Sequence, residues 1–293
     1  MSVTIIINPI SGGIRPGQAR ARAELASAVV DTNGEAAEVF VTEARGHAHQ
    51  LARAALRRGT RLVISWGGDG TLNEVASALA FQDVPLGLVP AGSGNGLARE
   101  LGVNLDPRRA IADAIRAQPR TIDLGQVDDR LFVNVAGFGL DAYVALQFDN
   151  PGNSRGFAGY VTLTARALVR YVPRTYSITT PEGRRVSRAI LVSVANSAQF
   201  GNGARIAPGA LLDDGLLNLV VVEERARWRT ILSVPRLFNG TVEQIPGCSI
   251  CPIQQATIES ERPMVFHVDG EPVEGGTKLE VRVVPAALRV AVR

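Results

Sequence analysis

Two short glycine-rich segments hold the residues with the strongest chemical bias in this chain. Gly67-Gly68-Asp69-Gly70-Thr71 is entered from the apolar run Leu62 to Ser65, and Gly92-Ser93-Gly94-Asn95-Gly96 from Leu86 to Pro90. The runs read as buried strands, while Leu72 to Ala80 and Leu97 to Leu101 read as helix starts, so each cluster falls at a strand-to-helix turn. Without Cβ atoms the backbone N–H groups of such a turn can close on an anion, and the following helix N-terminus favours negative charge. Asp69 is out of place beside a polyphosphate unless a divalent cation lies between them, which points to Mg²⁺ held directly or through water. Either turn alone is equally an ordinary tight connection of a parallel sheet; the two in succession with an embedded acid favour a nucleotide.

Turns of this kind need a parallel sheet behind them. Val3 to Ile7, Ala37 to Val41, Leu62 to Ser65 and Leu86 to Pro90 read as strands. They alternate with helical segments at Gln18 to Val30, Gly46 to Arg58, after Asp69, and at Pro107 to Ala117. The alternation predicts an α/β, doubly wound, Rossmann-like domain over residues 1–120, with ligand at the carboxyl ends of its strands. Asn8-Pro9-Ile10-Ser11-Gly12 and Thr42 lie at those same ends, although a plain turn and a helix N-cap account for them as well.

From Thr121 the pattern changes to short apolar runs separated by turn residues, at 121–127, 131–136, 176–180, 189–195, 216–222, 257–261, 264–268 and 278–284. They predict a mostly antiparallel second domain over 121–284, interrupted by helices at 156–170 and 227–238. A last strand within 285–293 is placed to return to the first domain. Three acidic positions stand out in the second domain. Asp269-Gly270-Glu271 could supply a general base, with both carboxylates on one side of an extended strand, or could simply be a hairpin turn. Leu211 to Leu216, with Asp214 in it, could bind a cation or again turn a hairpin. Asp123 sits inside an apolar strand and calls for a cation, an arginine or a hydrogen-bond donor.

Composition narrows the chemistry. In 293 residues, 46% hydrophobic and 20% charged side chains describe a globular protein, and no apolar run approaches a bilayer span. With Val3 to Ile7 starting directly at the N-terminus, a cytoplasmic location is expected. A formal charge of +3 gives no reason to expect nucleic acid. Lys278 is the one lysine, which excludes a Walker-type phosphate loop and a protein-kinase site, since both place lysine on the phosphates. Cys248 and Cys251, without further cysteines, cannot build a Cys₄ zinc site; a redox pair or plain packing remains.

The ordered set formed by Asn8 to Gly12, Thr42, Gly67-Gly68-Asp69-Gly70-Thr71-Leu72-Asn73-Glu74, Pro90 to Asn95, Asp214-Gly215 and Asp269-Gly270-Glu271 resembles the diacylglycerol kinase catalytic-domain family. That family includes bacterial lipid kinases, sphingosine kinases and ceramide kinases, and the likeness runs from Val3 to about Val284. It implies an ATP-dependent kinase of a lipid hydroxyl, with a nucleotide-binding α/β domain, a β-sandwich domain and an active site in the cleft between them. By matching position, Asn8, Pro9, Ile10, Ser11, Gly12, Thr42, Gly67, Gly68, Asp69, Gly70, Thr71, Leu72, Asn73, Glu74, Ser93 and Asn95 would contact ATP. Glu271 would be the proton acceptor, with Asp269 the other candidate; Asp69 and Asp123 would join an acidic network around a catalytic Mg²⁺. Leu211 and Leu216 by their carbonyls, and Asp214 by its carboxylate, match a structural Mg²⁺ site. Gly96 stands where many bacterial members have Asp, so the wording of this loop is closer to the sphingosine-kinase form and leaves the lipid open.

The implied partners are a lipid substrate at the membrane surface, reached by peripheral association with the inner leaflet, and a second copy of the chain in a homodimer. Leu140 to Phe148 and the segment from Gly156 to Tyr171, with Arg166, Arg170 and Arg174, offer one surface for the membrane, or equally a core helix with a solvated side. A kinase of a soluble substrate such as NAD and a non-catalytic nucleotide or lipid sensor remain as rival readings.

Overall fold

The computed structural model describes residues 2–13, 17–148 and 157–293, and the side chains of these except 148 and 157–161. The predicted helix start at Gly156 lies outside the described residues. The chain forms two compact units, Met1–Ile122 with Ala286–Arg293, and Asp123–Pro285.

The first unit is built from β1 (Ser2–Ile7), α1 (Gln18–Thr32), β2 (Ala36–Val41), α2 (His47–Arg57), β3 (Leu62–Gly67), α3 (Asp69–Leu79), β4 (Leu86–Pro90), α4 (Gly96–Glu100) and α5 (Pro107–Arg116). Its strands run parallel in the order β2-β1-β3-β4. β1 and β3 are buried almost throughout because both faces of the sheet are covered, which is why they read as unbroken apolar runs. Val3, Ile5, Ile7, Leu62 and Ile64 face α1 and α5 through Ala26, Val30, Ile111 and Ala114. α2 packs on β1, and α3 on β3 and β4, burying Ala52, Ala55, Val75 and Leu79 on the other face. α3 starts at Asp69 itself, one turn earlier than the apolar pattern places it.

The second unit continues from β5 (Arg120–Val127) through β6 (Arg130–Phe132), β7 (Val135–Gly139), α6 (Leu140–Phe148), α7 (Phe157–Arg170), β8 (Arg174–Thr180) and β9 (Gly183–Ala195). Then come β10 (Gln199–Gly201), β11 (Ala204–Arg205), β12 (Leu217–Glu223), α8 (Arg227–Ser233), α9 (Pro235–Phe238), β13 (Cys248–Ile253), β14 (Gln255–Ser260), β15 (Val265–Val268), β16 (Glu271–Glu274) and β17 (Lys278–Val290). The strands pair antiparallel in a β-sandwich-like arrangement: β9 pairs β8 with its first half and β7 with its second, and also carries β12, which carries β13. Phe138 and Phe266 stack at 5.8 Å in the core with Val192, Val194, Ile258 and Leu279. The first part of β17 pairs with β14; past Ala286, at φ 50°, the chain belongs to the first unit, where Val290 pairs with Leu86 of β4.

Two predicted elements are divided. The run 131–136 breaks between β6 and β7 because the N–H groups of Val133, Asn134 and Val135 turn to the carboxylate of Asp269. The helix at 227–238 breaks into α8 and α9 at Pro235, which has no N–H to continue the ladder.

Candidate active site

At the carboxyl ends of the parallel strands the two glycine turns lock onto each other. Asp69, first residue of α3, accepts through Oδ2 from the Asn95 N–H at 2.9 Å and through Oδ1 from the Gly96 N–H at 2.8 Å. The Ala91 N–H donates to the Gly67 carbonyl at 2.8 Å. Asn95, at φ 51°, folds its own loop by accepting from the Gly92 N–H and donating Nδ2 to the Gly92 carbonyl, both at 2.8 Å. Glycine is needed for the contact itself: a Cβ on Gly92 would lie 2.6 Å from the Gly68 Cα, and one on Gly67 would lie 2.6 Å from the Thr71 Cβ. Gly67, Gly68, Asp69, Pro90 and Asn95 line a small cleft, together with Ser65. The Ser65 hydroxyl is buried and has no hydrogen-bond partner among the described residues.

The loop after β1 joins the same cradle. Asn8 Nδ2 donates to Thr71 Oγ1 at 2.8 Å, its Oδ1 accepts from the Ile10 N–H at 3.0 Å, and the Ser11 hydroxyl donates to the Asn8 carbonyl at 2.9 Å. Arg22 on α1 braces this loop. Its guanidinium donates to the Asn8 carbonyl at 2.9 Å, to Ser11 Oγ at 3.0 Å and to the Ser11 carbonyl at 2.8 Å, and lies 5.5 Å from the Trp66 ring. Burial lowers its pKa, yet a guanidinium keeps its charge under any physiological condition. A Cβ on Gly12, at φ 75°, would lie 2.9 Å from the Ala91 carbonyl oxygen, so this loop reaches the second glycine turn through bare backbone.

In the second unit the segment Asp269-Gly270 is a two-residue hairpin turn between β15 and β16, with φ 48° and 87°. The two carboxylates therefore do not project together from an extended strand. Asp269 Oδ1 accepts from the N–H groups of Asn134 at 2.8 Å and Val135 at 3.0 Å, and Oδ2 from that of Val133 at 2.8 Å. Glu271 opens β16 and is half-buried. Behind the turn lies a buried polar chain. The Gly270 N–H donates to His267 Nδ1 at 3.2 Å, His267 Nε2 sits 3.4 Å from Asp141 Oδ2, and the Ser193 hydroxyl donates to the same oxygen at 2.8 Å. An Nδ1 that accepts leaves Nε2 as the protonated nitrogen facing Asp141.

Asp123 is buried, and its carboxylate accepts from the Gly215 N–H at 2.7 Å while its own N–H donates to the Leu212 carbonyl at 2.6 Å. Asp214 Oδ1 accepts from the Leu216 N–H at 3.0 Å. The loop 211–216 is thus no hairpin turn between strands; it is tied back to Asp123 before β12 begins. Among the described residues no three His, Cys, Asp or Glu side chains gather as a metal site.

The description "Diacylglycerol kinase catalytic domain" belongs to the family model that matches residues 2–127. The model described as "YegS C-terminal NAD kinase beta sandwich-like domain" matches residues 134–292, more than half of the chain. The chain belongs to the diacylglycerol kinase catalytic-domain family. A Mycobacterium tuberculosis protein named diacylglycerol kinase is 30% identical over 297 residues, covering 98% of this chain and 94% of its own. A Stenotrophomonas maltophilia protein named "Probable lipid kinase YegS-like" is 31% identical over 291 residues, covering 94% and 93%. The crystal structure of a diacylglycerol kinase from Bacillus anthracis str. Sterne superposes with a TM-score of 0.73 at 18% identity, covering 100% of this chain and 97% of that one, a likeness of fold.

Within this family framework, Asn8, Ser11, Gly12, Gly67, Gly68, Asp69, Thr71 and Asn95 form one interlocked group. Four other expected nucleotide contacts lie beside this group with partners of their own. Leu72 is buried, and Asn73 Oδ1 accepts from the Ser77 hydroxyl at 3.5 Å within α3. Glu74 accepts from the N–H groups of Gly46 at 2.7 Å and Ala48 at 3.0 Å, capping α2. Thr42 is buried, with its N–H on the Ile7 carbonyl at 2.9 Å, and the cap position of α2 belongs to Gly46, so Thr42 is no N-cap. Arg22, His267, Asp141 and Ser65 were not singled out by sequence reasoning. Arg22 lies on a weakly patterned helix, and the others lie in apolar strands or at the start of an apolar helix, where only burial of a polar group marks them. Cys248 and Cys251 both fall on β13, three positions apart and so on opposite faces; Cys248 packs against the cluster that holds Ala207 and Val220, Cys251 against the one that holds Leu219 and Val192. Burial raises both thiols, Cys248 to about 11, which opposes the redox-pair reading.

Proposed function

We propose that this chain is a lipid kinase that transfers the γ-phosphoryl group of ATP to a hydroxyl of a glycerolipid or sphingoid-type lipid with the aid of Mg²⁺. The observation that carries the reading is the Asp69 clamp, which closes two glycine turns into one cradle at the carboxyl ends of a parallel sheet, in a chain of the diacylglycerol kinase family. The names of the relatives supply the lipid. In the cradle, the bare backbone of Gly67 and Gly68 gives N–H groups close approach to phosphate oxygens, and the start of α3 adds its dipole. The Asp69 carboxylate and the orphaned Ser65 hydroxyl line the same cleft; these oxygen donors suit Mg²⁺. When bound, the ion neutralises charge that spreads over the phosphoryl oxygens. Leu211, Asp214 and Leu216 are the residues that would hold a second, structural Mg²⁺, with one exposed carboxylate and two carbonyls.

Glu271 accepts the proton of the lipid hydroxyl. Asp269 shapes the hairpin that carries it, since both Asp269 oxygens are engaged by backbone N–H groups. The protein works peripherally at the inner membrane leaflet, and among the described residues no helix is long and apolar enough to cross a membrane.

The test is incubation of the purified chain with Mg²⁺, labelled ATP and mixed micelles of diacylglycerol, monoacylglycerol, sphingosine, ceramide or phosphatidylglycerol, with NAD as a soluble control. Label on a lipid, lost with Asp69→Asn and with EDTA, is the expected result. Label on NAD alone, or on nothing despite tight ATP binding, overturns the reading in favour of a soluble-substrate kinase or a sensor.

A further inference from the structure

The pair α8–α9 exposes apolar surface that the core of its unit does not use. Trp228, Ile231 and Leu232 recur at positions i, i+3 and i+4, hence on one face of α8, and are 59%, 48% and 70% exposed; Phe238 on α9 is 47% exposed. The inward positions are taken by Val234 and Leu237, which pack on the unit's core clusters. Beside the exposed face stand the exposed Arg227 and Arg229, and no Asp or Glu occurs from Arg225 through Gly240. The Arg229 guanidinium lies 5.1 Å from the Trp228 ring, an arrangement in which cation and indole share one face.

Charge selects the occupant. A second copy seated on this face about a two-fold axis would set its arginine rim against the same rim, like charge on like. A surface of lipid phosphates over acyl chains meets both parts at once, since arginine pairs with phosphate while tryptophan and aliphatic side chains settle at the boundary below the headgroups. We propose that α8 and α9 form a docking surface for an anionic lipid bilayer, with Trp228, Ile231, Leu232 and Phe238 entering the headgroup boundary and Arg227 and Arg229 on lipid phosphates. This surface is distinct from the Leu140 to Tyr171 region considered from the sequence. Its meaning for turnover rests on the lipid-kinase reading; the binding itself does not.

The two tryptophans make the test direct, because Trp66 is buried at 3% exposure and Trp228 is not. The full chain is mixed with phosphatidylcholine vesicles, with or without phosphatidylglycerol, and followed by co-sedimentation and tryptophan emission. The expected result is binding to the anionic vesicles with a blue shift of emission that Trp228→Phe removes. Ile231→Asp with Leu232→Asp should weaken that binding at least about tenfold, a loss that high salt does not mimic in full. Arg227→Ala with Arg229→Ala should reduce the preference for phosphatidylglycerol. Undiminished binding of the Asp double variant, equal binding to neutral and anionic vesicles, an unshifted Trp228, or a dimer that the Asp double variant abolishes would each overturn the proposal. Transfer to lipid in detergent micelles reports separately: a chain that docks through Trp228 but phosphorylates no lipid sinks the kinase reading and leaves the surface standing.

Discussion

Asp269 and Glu271 lie two residues apart, and isosteric amide substitutions should separate them by different readouts. In Asp269→Asn the remaining oxygen can still serve the Asn134 and Val135 N–H groups, which both bond Oδ1, but the new Nδ2 meets the Val133 N–H where Oδ2 accepted at 2.8 Å. One hydrogen bond to a charged group becomes a donor-donor contact. For a half-exposed turn the low end of the range applies, about 2 kcal/mol. In a unit spanning Asp123–Pro285 that corresponds to a melting temperature lower by roughly 4–8 °C. Turnover should fall only as far as the hairpin shifts Glu271, within about tenfold. Glu271→Gln removes the proposed proton acceptor, so kcat should fall about 10²- to 10⁴-fold, with a smaller change in melting temperature. The assay is single-turnover transfer from labelled ATP to the accepted lipid, paired with thermal melts of both variants. If Asp269→Asn stops transfer without moving the melt while Glu271→Gln stays active, the assignment of base and clamp is reversed and the reasoning from hydrogen-bond partners fails.

Gly92→Ala must force its Cβ away from the Gly68 Cα, 2.6 Å distant and part of the backbone, at a cost of about 1–3 kcal/mol; kcat/KM for ATP should drop on the order of 10- to 100-fold, measured by steady-state kinetics. Glu74→Ala should lower stability by about 1–2 kcal/mol through loss of the α2 cap, while isothermal titration finds ATP affinity within about twofold of the parent. Cys248, raised to about 11 by burial from its ordinary 9.0, should react slowly with iodoacetamide near pH 8 in the folded chain and rapidly in guanidinium, as peptide mass spectrometry would reveal. Linkage runs the same way: the stabilisation from this buried thiol is complete below pH 9 and is lost as pH rises through 11, because the unfolded chain ionises first.

The parallel half of the molecule was legible because its physics is local. Val3 to Ile7, Leu62 to Ser65 and Leu86 to Pro90 are mostly apolar and covered on both faces, and each is closed by residues that only a tight turn requires. The second unit was legible as strands but not in its breaks. α6 is apolar on nearly all sides, with Leu140, Ala142, Val144 and Ala145 buried, so no helical stripe distinguishes it from a strand. The gap at Val133-Asn134 depends on a carboxylate more than 130 positions downstream, and nothing within a local window announces it.

The acids posed a deeper ambiguity. A carboxylate in a glycine-rich or apolar context must find positive charge, and a sequence cannot tell a cation from a set of backbone N–H groups, since both satisfy the same electrostatic demand. Asp69, Glu74, Asp123 and Asp269 each accept from the backbone N–H groups of another loop: 95–96, 46 and 48, 215, and 133–135. Acids read as ligands of metal or nucleotide are therefore also the clamps that give the loops their shape. The two tasks compete most where one oxygen already accepts two N–H groups, as Asp269 Oδ1 does. Under the proposed function, the three N–H groups on Asp269 assign it to shaping the hairpin and assign the proton transfer to Glu271.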